Sequence, residues 1–183
     1  MSRSLMTVGH GTLTADELAR LVTGAGVEEL VDVRSFPASR RHPQFRREAM
    51  EQWLPDAGVS YRWEPRLGGR RRPAPDSPHG ALRVAAFRGY ADHMETPEFR
   101  DALDVLLTEA ATRPTAVMCA ESLWWRCHRR LLADSVVLVR GTPVEHLFHD
   151  ARVEAHRPTP EARVDGSRLV YDGDEPALPL GDS

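Results

Sequence analysis

The sequence predicts an α/β fold, a single Rossmann-like domain built on an open, mostly parallel sheet with helices on both faces. Three observations carry this expectation. The chain has 183 residues, enough for one substantial core and short for two. Short apolar runs alternate with segments of helical periodicity through the first 150 residues or so, the pattern of strands joined by helical crossovers. Polar clusters, Gly9-His10, Asp32-Val33-Arg34 and Cys119-Ala120-Glu121, each follow a predicted strand, at the edge where such sheets bind ligands.

The elements follow in order. Leu5 to Val8 reads as a strand ending in Gly9-His10-Gly11. Thr14-Ala15-Asp16-Glu17 is a capping box, with Leu13 and Leu18 placed as a hydrophobic staple, so a helix starts there. Leu18, Leu21, Val22 and Ala25 keep its apolar face and Gly26 ends it. A second strand, Leu30 to Val33, enters a polar loop from Arg34 to Pro43. A helix over about 46–57 should bury Ala49, Met50, Trp53 and Leu54 and stop at Gly58, and Val59 to Trp63 alternates as a third strand. The segment from Glu64 to Leu82 reads as a long irregular excursion of the kind kept for binding or for a lid.

Beyond it, Thr96-Pro97 caps a helix with Phe99, Ala102, Leu103, Leu106 and Ala110 on its inner face. Thr115 to Cys119 is a strand, and Trp125 to Val139 reads as a helix with Trp125, His128, Leu132, Ser135, Val136 and Val139 on one stripe. Val144 to Phe148 is the last strand of an α/β domain spanning 1–150. The remainder, 151–183, reads as a polar extension with a hairpin suggested by Asp165-Gly166.

Composition excludes some chemistry. All 24 basic residues are arginine, against 27 Asp plus Glu, for a formal charge of -3. Without lysine there is no Walker-type phosphate loop, no pyridoxal Schiff base and no kinase ion pair. The mild acidity disfavours general nucleic-acid affinity. No apolar run is long enough to span a membrane and no secretory signal is present, so a cytoplasmic protein with free thiols is expected.

The densest chemistry lies between Cys119 and Arg130. Cys119 leaves a strand beside a helix start, which favours thiolate, with His128 as base and Glu121 as orienting group or acid; it is expected to be the more reactive thiol. A phosphatase or rhodanese loop would put arginine six positions after the cysteine, whereas Trp125 stands there and Arg126 follows. Cys119, Glu121, Cys127 and His128 are all metal-ligand types, but the cysteine spacing is not that of a zinc knuckle. His10 and Asp32 adjoin the same edge. Arg34, Arg40 and Arg129, with backbone amides of Gly68 and Gly69, would hold an anion, and Arg70 to Arg72 add further guanidinium groups.

At these residues the sequence resembles a family of bacterial and archaeal proteins named as domain of unknown function 488. The matching pieces are Thr7-Val8-Gly9-His10, Asp32-Val33-Arg34 with Pro37 and Ser39-Arg40, Leu67-Gly68-Gly69-Arg70, Cys119-Ala120-Glu121 and Cys127-His128-Arg129. They run from Thr7 to about His149. Gly11 departs from the pattern, since many members carry serine after the histidine. The resemblance implies a compact α/β protein whose motif residues gather into one site, and it names no reaction and no cofactor. The expected function is therefore an enzyme acting on an anionic, nucleotide-like small molecule, with Cys119, Glu121 and His128 at the reacting centre. Two alternatives stand beside it, a noncatalytic nucleotide or nucleic-acid binding module and a metal-dependent hydrolase.

Overall fold

The computed structural model describes residues 3–173; residues 1 and 2 and the tail of the extension, 174–183, lie outside the described part. Strands β1 (Leu5–Gly9), β2 (Glu29–Asp32), β3 (Ser60–Trp63), β4 (Thr115–Cys119), β5 (Val144–Leu147) and β6 (Val153–Ala155) form one sheet in the order β3-β2-β4-β1-β5-β6. The first five are mutually parallel and β6 pairs antiparallel with β5. This is the expected Rossmann-like α/β sheet. Strands β7 (Ala162–Asp165) and β8 (Arg168–Tyr171) form a separate antiparallel hairpin, with Gly166 at φ +62° in the turn. No described helix is long and apolar enough to cross a membrane.

Helices α1 (Ala15–Gly24) and α2 (Arg47–Asp56) cover one face. The other is covered by α3 (Ala85–His93), α4 (Pro97–Thr112), α5 (Arg129–Asp134) and the hairpin. Strand alternation sorts the side chains between them. Leu30, Ala116 and Met118 pack toward α1 and α2, while Val31, Val117 and Cys119 pack toward α5. Helix α1 starts as its sequence requires, for Thr14 Oγ1 accepts from Glu17 N at 3.1 Å and Glu17 Oε1 accepts from Thr14 N at 3.0 Å.

Two readings need correction. The stretch from Trp125 to Val139 is not one helix: a 3₁₀ turn at Trp124–Arg126 comes first, α5 begins only at Arg129, and Ser135–Val139 is a π turn. Trp125 is accordingly 43% exposed rather than on the inner stripe. Nor is the excursion after Glu64 a free lid. Helix α3, which lacks a clear sequence signal, pins it: Asp92 accepts from Ala74 N and Ser77 Oγ, and Gly89 packs so closely on Arg71 that a Cβ there would lie 2.2 Å from Arg71 O.

The connectivity marks a place for ligand. From β1 the chain crosses through α1 toward β2, and from β4 it crosses through α5 in the opposite direction, over β1 to β5. Neighbouring strands whose crossovers leave to opposite faces of the sheet form a crevice beyond their carboxyl ends. Those ends are Gly9 and Cys119, which face each other in register.

Candidate functional site

A cleft opens at this switch point. Its inner part, about 210 Å³, is lined by Arg34, Ser35, Phe36, Gly69, Arg70 and the residues Cys119, Ala120, Glu121, Cys127 and His128. An outer part of about 580 Å³ shares Arg34, Phe36, Arg70, Ala120 and Glu121 and adds His10, Gly11, Thr12, His42 and Ser122. Four loops supply these groups, each beginning where a parallel strand or the short turn Pro65–Leu67 ends. Asp32, Arg40, Gly68 and Arg129 stand outside this lining.

The floor is a pair of thiols. Cys119 Sγ and Cys127 Sγ are 3.1 Å apart, and Arg129 Nε donates to both, at 3.0 and 3.3 Å. The backbone N–H of Arg129 adds a contact to Cys127 Sγ at 3.4 Å. Arg129 itself is only 1% exposed and, among the described residues, has no carboxylate as a direct partner. A buried guanidinium needs an anion nearby, and the sulphurs are the acids in contact with it.

Burial pushes both thiols up. For Cys127, the hydrogen bond with Cys119 and the charge of Arg129 outweigh burial and bring it down to about 6. For Cys119, burial and the contact with Cys127 hold the thiol well above its ordinary value. The order of acidity expected from sequence is thus reversed. Cys127 is not inside a helix but one residue before the N-cap of α5, His128, and Cys119 is only 2% exposed.

His128 Nε2 donates to Val33 O at 2.9 Å, which leaves Nδ1 with the lone pair. Burial lowers this imidazole to about 4, so it stands neutral in the cleft wall. Its Nδ1 explains Gly69, where a Cβ would come within 2.8 Å of it.

His10, Asp32 and Arg34 form a second, rigid group. Asp32 Oδ1 accepts from Arg34 N and Nε at 3.1 and 2.8 Å, and Oδ2 accepts from Arg34 Nη2 at 2.6 Å and Tyr61 OH at 2.5 Å. Arg34 Nη1 donates to His10 Nε2 at 3.2 Å, while His10 Nδ1 donates to Gly11 O at 2.9 Å. Burial holds His10 near 4, so it is neutral as well. Asp32, fully buried, orients Arg34 and does not reach the cleft.

The expected anion holders divide. Arg40 is exposed and outside the lining, and Arg129 is spent on sulphur and on Thr7 Oγ1 and Glu121 O. Gly68 N donates to Pro65 O, whereas the N–H groups of Gly69, Glu121 and Ser122, all lining residues, have no acceptor among the described residues. Arg70 takes the wall position that sequence left among three arginines. Its φ of +56° is unusual for a residue with a side chain, its guanidinium lies 5.9 Å from the exposed Phe36 ring, and it has no ion pair among the described residues. Glu121 Oε1 accepts from Leu123 N at 3.2 Å. At Gly11, φ is +50° and a Cβ would meet Ser122 Oγ at 2.2 Å, so a hydroxyl stands there from another loop.

Behind the thiols runs a network that no sequence motif announced. Arg129 Nη1 donates to Thr7 Oγ1 (3.2 Å), Thr7 Oγ1 is hydrogen-bonded to His146 Nδ1 (2.6 Å), His146 Nε2 to His156 Nδ1 (2.9 Å), and Asp134 Oδ1 accepts from His156 Nε2 (2.7 Å). Tyr171 OH and Thr159 N complete the Asp134 carboxylate. Trp124 stacks on His146 at 4.2 Å. The one hint in the sequence was helical: Asp134 falls on the buried side of α5.

Among the described residues, no three His, Cys, Asp or Glu side chains are grouped to hold a metal ion. No curated protein and no solved structure matches the chain. A family model does: the domain of unknown function DUF488 matches residues 14–136. That match takes in Asp32, Arg34, Gly69, Arg70, both cysteines, His128 and Arg129, and the chain belongs to the DUF488 family.

Proposed function

We propose that this protein is a thiol-dependent enzyme acting on a small anionic substrate, with Cys127 as the nucleophile. The observation that carries this reading is the buried Arg129 donating to two sulphurs at the floor of an open cleft. A guanidinium placed there keeps one thiol ionised at neutral pH, which is the requirement for nucleophilic catalysis by cysteine. Arg70 and the unpaired N–H groups of Gly69, Glu121 and Ser122 supply donors for the anion. Arg34, held by Asp32, adds fixed positive charge to the wall both cavities share. Neutral His128 orients the reacting group as an acceptor, since an imidazole lowered to about 4 binds protons too weakly to be a strong base. Glu121 lines the same cleft and is assigned the part of acid toward a leaving group.

The test uses two alkylating reagents of similar size, iodoacetate and iodoacetamide. Cys127 in the folded protein should react with iodoacetate about tenfold faster, relative to iodoacetamide, than a free thiol does, the order of preference that a guanidinium in the cleft wall confers at intermediate dielectric. Arg70→Gln should remove most of that preference and leave the fold unchanged. A Cys127 that resists alkylation when folded, or shows no preference for the anion, overturns the reading.

The second reading, nucleotide binding without catalysis, draws on Phe36, 72% exposed at the cleft mouth beside Arg70, a platform on which a base can stack. Salt-steep oligonucleotide binding that persists after both cysteines are replaced would favour it.

A further inference from the structure

We propose that Cys127 and Cys119 are an attacking and a resolving thiol, a dithiol–disulfide couple that reduces small hydroperoxides. The inference rests on the Cys127 thiolate of the reading above, but on neither the anionic substrate nor Arg70. Four features of the site carry it. The sulphurs are 3.1 Å apart, so closing to the bonded distance of about 2.05 Å takes a shift of roughly 1 Å. That shift falls on a loop and a 3₁₀ turn at 120–128, not on a helix. The roles are divided by exposure, because Cys119, 2% exposed, is too buried to meet a substrate first, whereas Cys127 is half-buried. Finally, the inner cleft directly above the pair, about 210 Å³, admits a small molecule and excludes a protein disulfide.

The steps balance as follows. The Cys127 thiolate attacks the terminal oxygen of ROOH; an S–O bond forms, the O–O bond breaks, and the departing alkoxide takes a proton from water to leave as ROH, the resulting hydroxide passing to solvent. Cys127 is now a sulfenic acid. Cys119 attacks that sulphur; an S–S bond forms, the S–O bond breaks, and the hydroxide released combines with the Cys119 proton as water. Peroxide has gained two electrons and the dithiol has lost them. An external dithiol returns the pair to the reduced state by two exchanges. Throughout, Arg129 Nε remains within reach of both sulphurs and stabilises whichever of them carries the charge.

The experiment treats the reduced full chain with hydrogen peroxide, a neutral probe, and reads free thiols in denaturant together with intact mass. One equivalent should abolish both thiols with loss of two hydrogens and no added oxygen, and dithiothreitol should restore them. Cys119→Ala should stop at a sulfenic acid on Cys127 that dimedone traps, and Cys127→Ser should slow consumption of peroxide by about tenfold or more. Accumulation of oxygenated Cys127 without disulfide in the wild type overturns the proposal, as does a peroxide rate no greater than that of a free thiol. The wild-type result stands even if a variant fails to fold. A disulfide formed in a protein that shows no preference for iodoacetate would remove the anionic-substrate reading and keep the redox couple.

Discussion

Arg129 shows what a single side chain decides. Its position beside Cys127-His128 suggested an anion holder for substrate, and it does hold an anion, but an internal one. Replacing it by methionine keeps much of the volume and removes the charge. Cys127 in Arg129→Met should then titrate at or above the ordinary thiol value of about 8.5, read by thiolate absorbance against pH, and stability should fall by about 3 kcal/mol as Thr7 Oγ1 and Glu121 O lose their donor. Arg129→Lys restores charge without the planar fork and should recover only part of the shift. A Cys127 still ionising near 6 in Arg129→Met would show that Arg129 is not the cause. Asp32 teaches the same lesson, for its motif position was legible, whereas its complete occupation by Arg34 and Tyr61 was not.

At the scale of elements, the site depends on how closely β1 approaches the loop after β4. A Cβ on Gly9 would lie 1.8 Å from Glu121 O and 2.8 Å from Arg129 Nη2, so the strand end and the loop cannot both stay in place. Gly9→Ala should cost about 2–3 kcal/mol, as overpacking of a rigid site does, and should raise the Cys127 pKa by displacing Arg129. Gly24→Ala is the control: nothing lies within 4 Å of its Cβ and its φ is not in the left-handed region, so ending α1 with alanine should be neutral or stabilise by up to about 1 kcal/mol. Urea denaturation and thiol titration of both variants check this, and equal stability of the two would remove the close-approach argument. Helices α1, α2 and α4 were legible because each keeps a long apolar period or a cap. Helix α3 was not, because Gly89 and the short mixed run Ala85–His93 carry a weak signal that packing against Arg71 overrides.

For the whole molecule, buried ionisable groups set how stability follows pH. Burial lowers His10 and His128 to about 4 and His146 to about 3. The unfolded chain therefore binds protons that the folded chain refuses, and stability, full above about 6.5, is lost as pH falls through 4. Cys127, an acid lowered to about 6, contributes stability that is complete above the unfolded thiol value and lost as pH falls through 6. Cys119, an acid raised by burial, contributes below that value and loses as pH rises past it. The signs combine to a maximum near pH 8.5, measurable as urea midpoints between pH 4 and 10. In Cys127→Ser the rise from pH 6.5 to 8.5 should vanish, and a flat wild-type profile over that interval would contradict the assigned thiolate.

Sequence by itself determined the α/β sheet, the strands from β1 to β5, the capped helices and the motif residues that match the DUF488 family. Those features are local: periodicity tells which face of an element is apolar, and caps and glycines tell where it ends. Only the tertiary structure decided how close the two thiols stand, where Arg129 points, and that Thr7, His146, His156 and Asp134 join in one buried chain. Thr7 and His146 are 139 residues apart, and a hydrogen bond between two polar side chains leaves no period in the sequence. Burial, which raises both Cys119 and Cys127, is likewise a property of what packs around a residue and not of its neighbours in the chain.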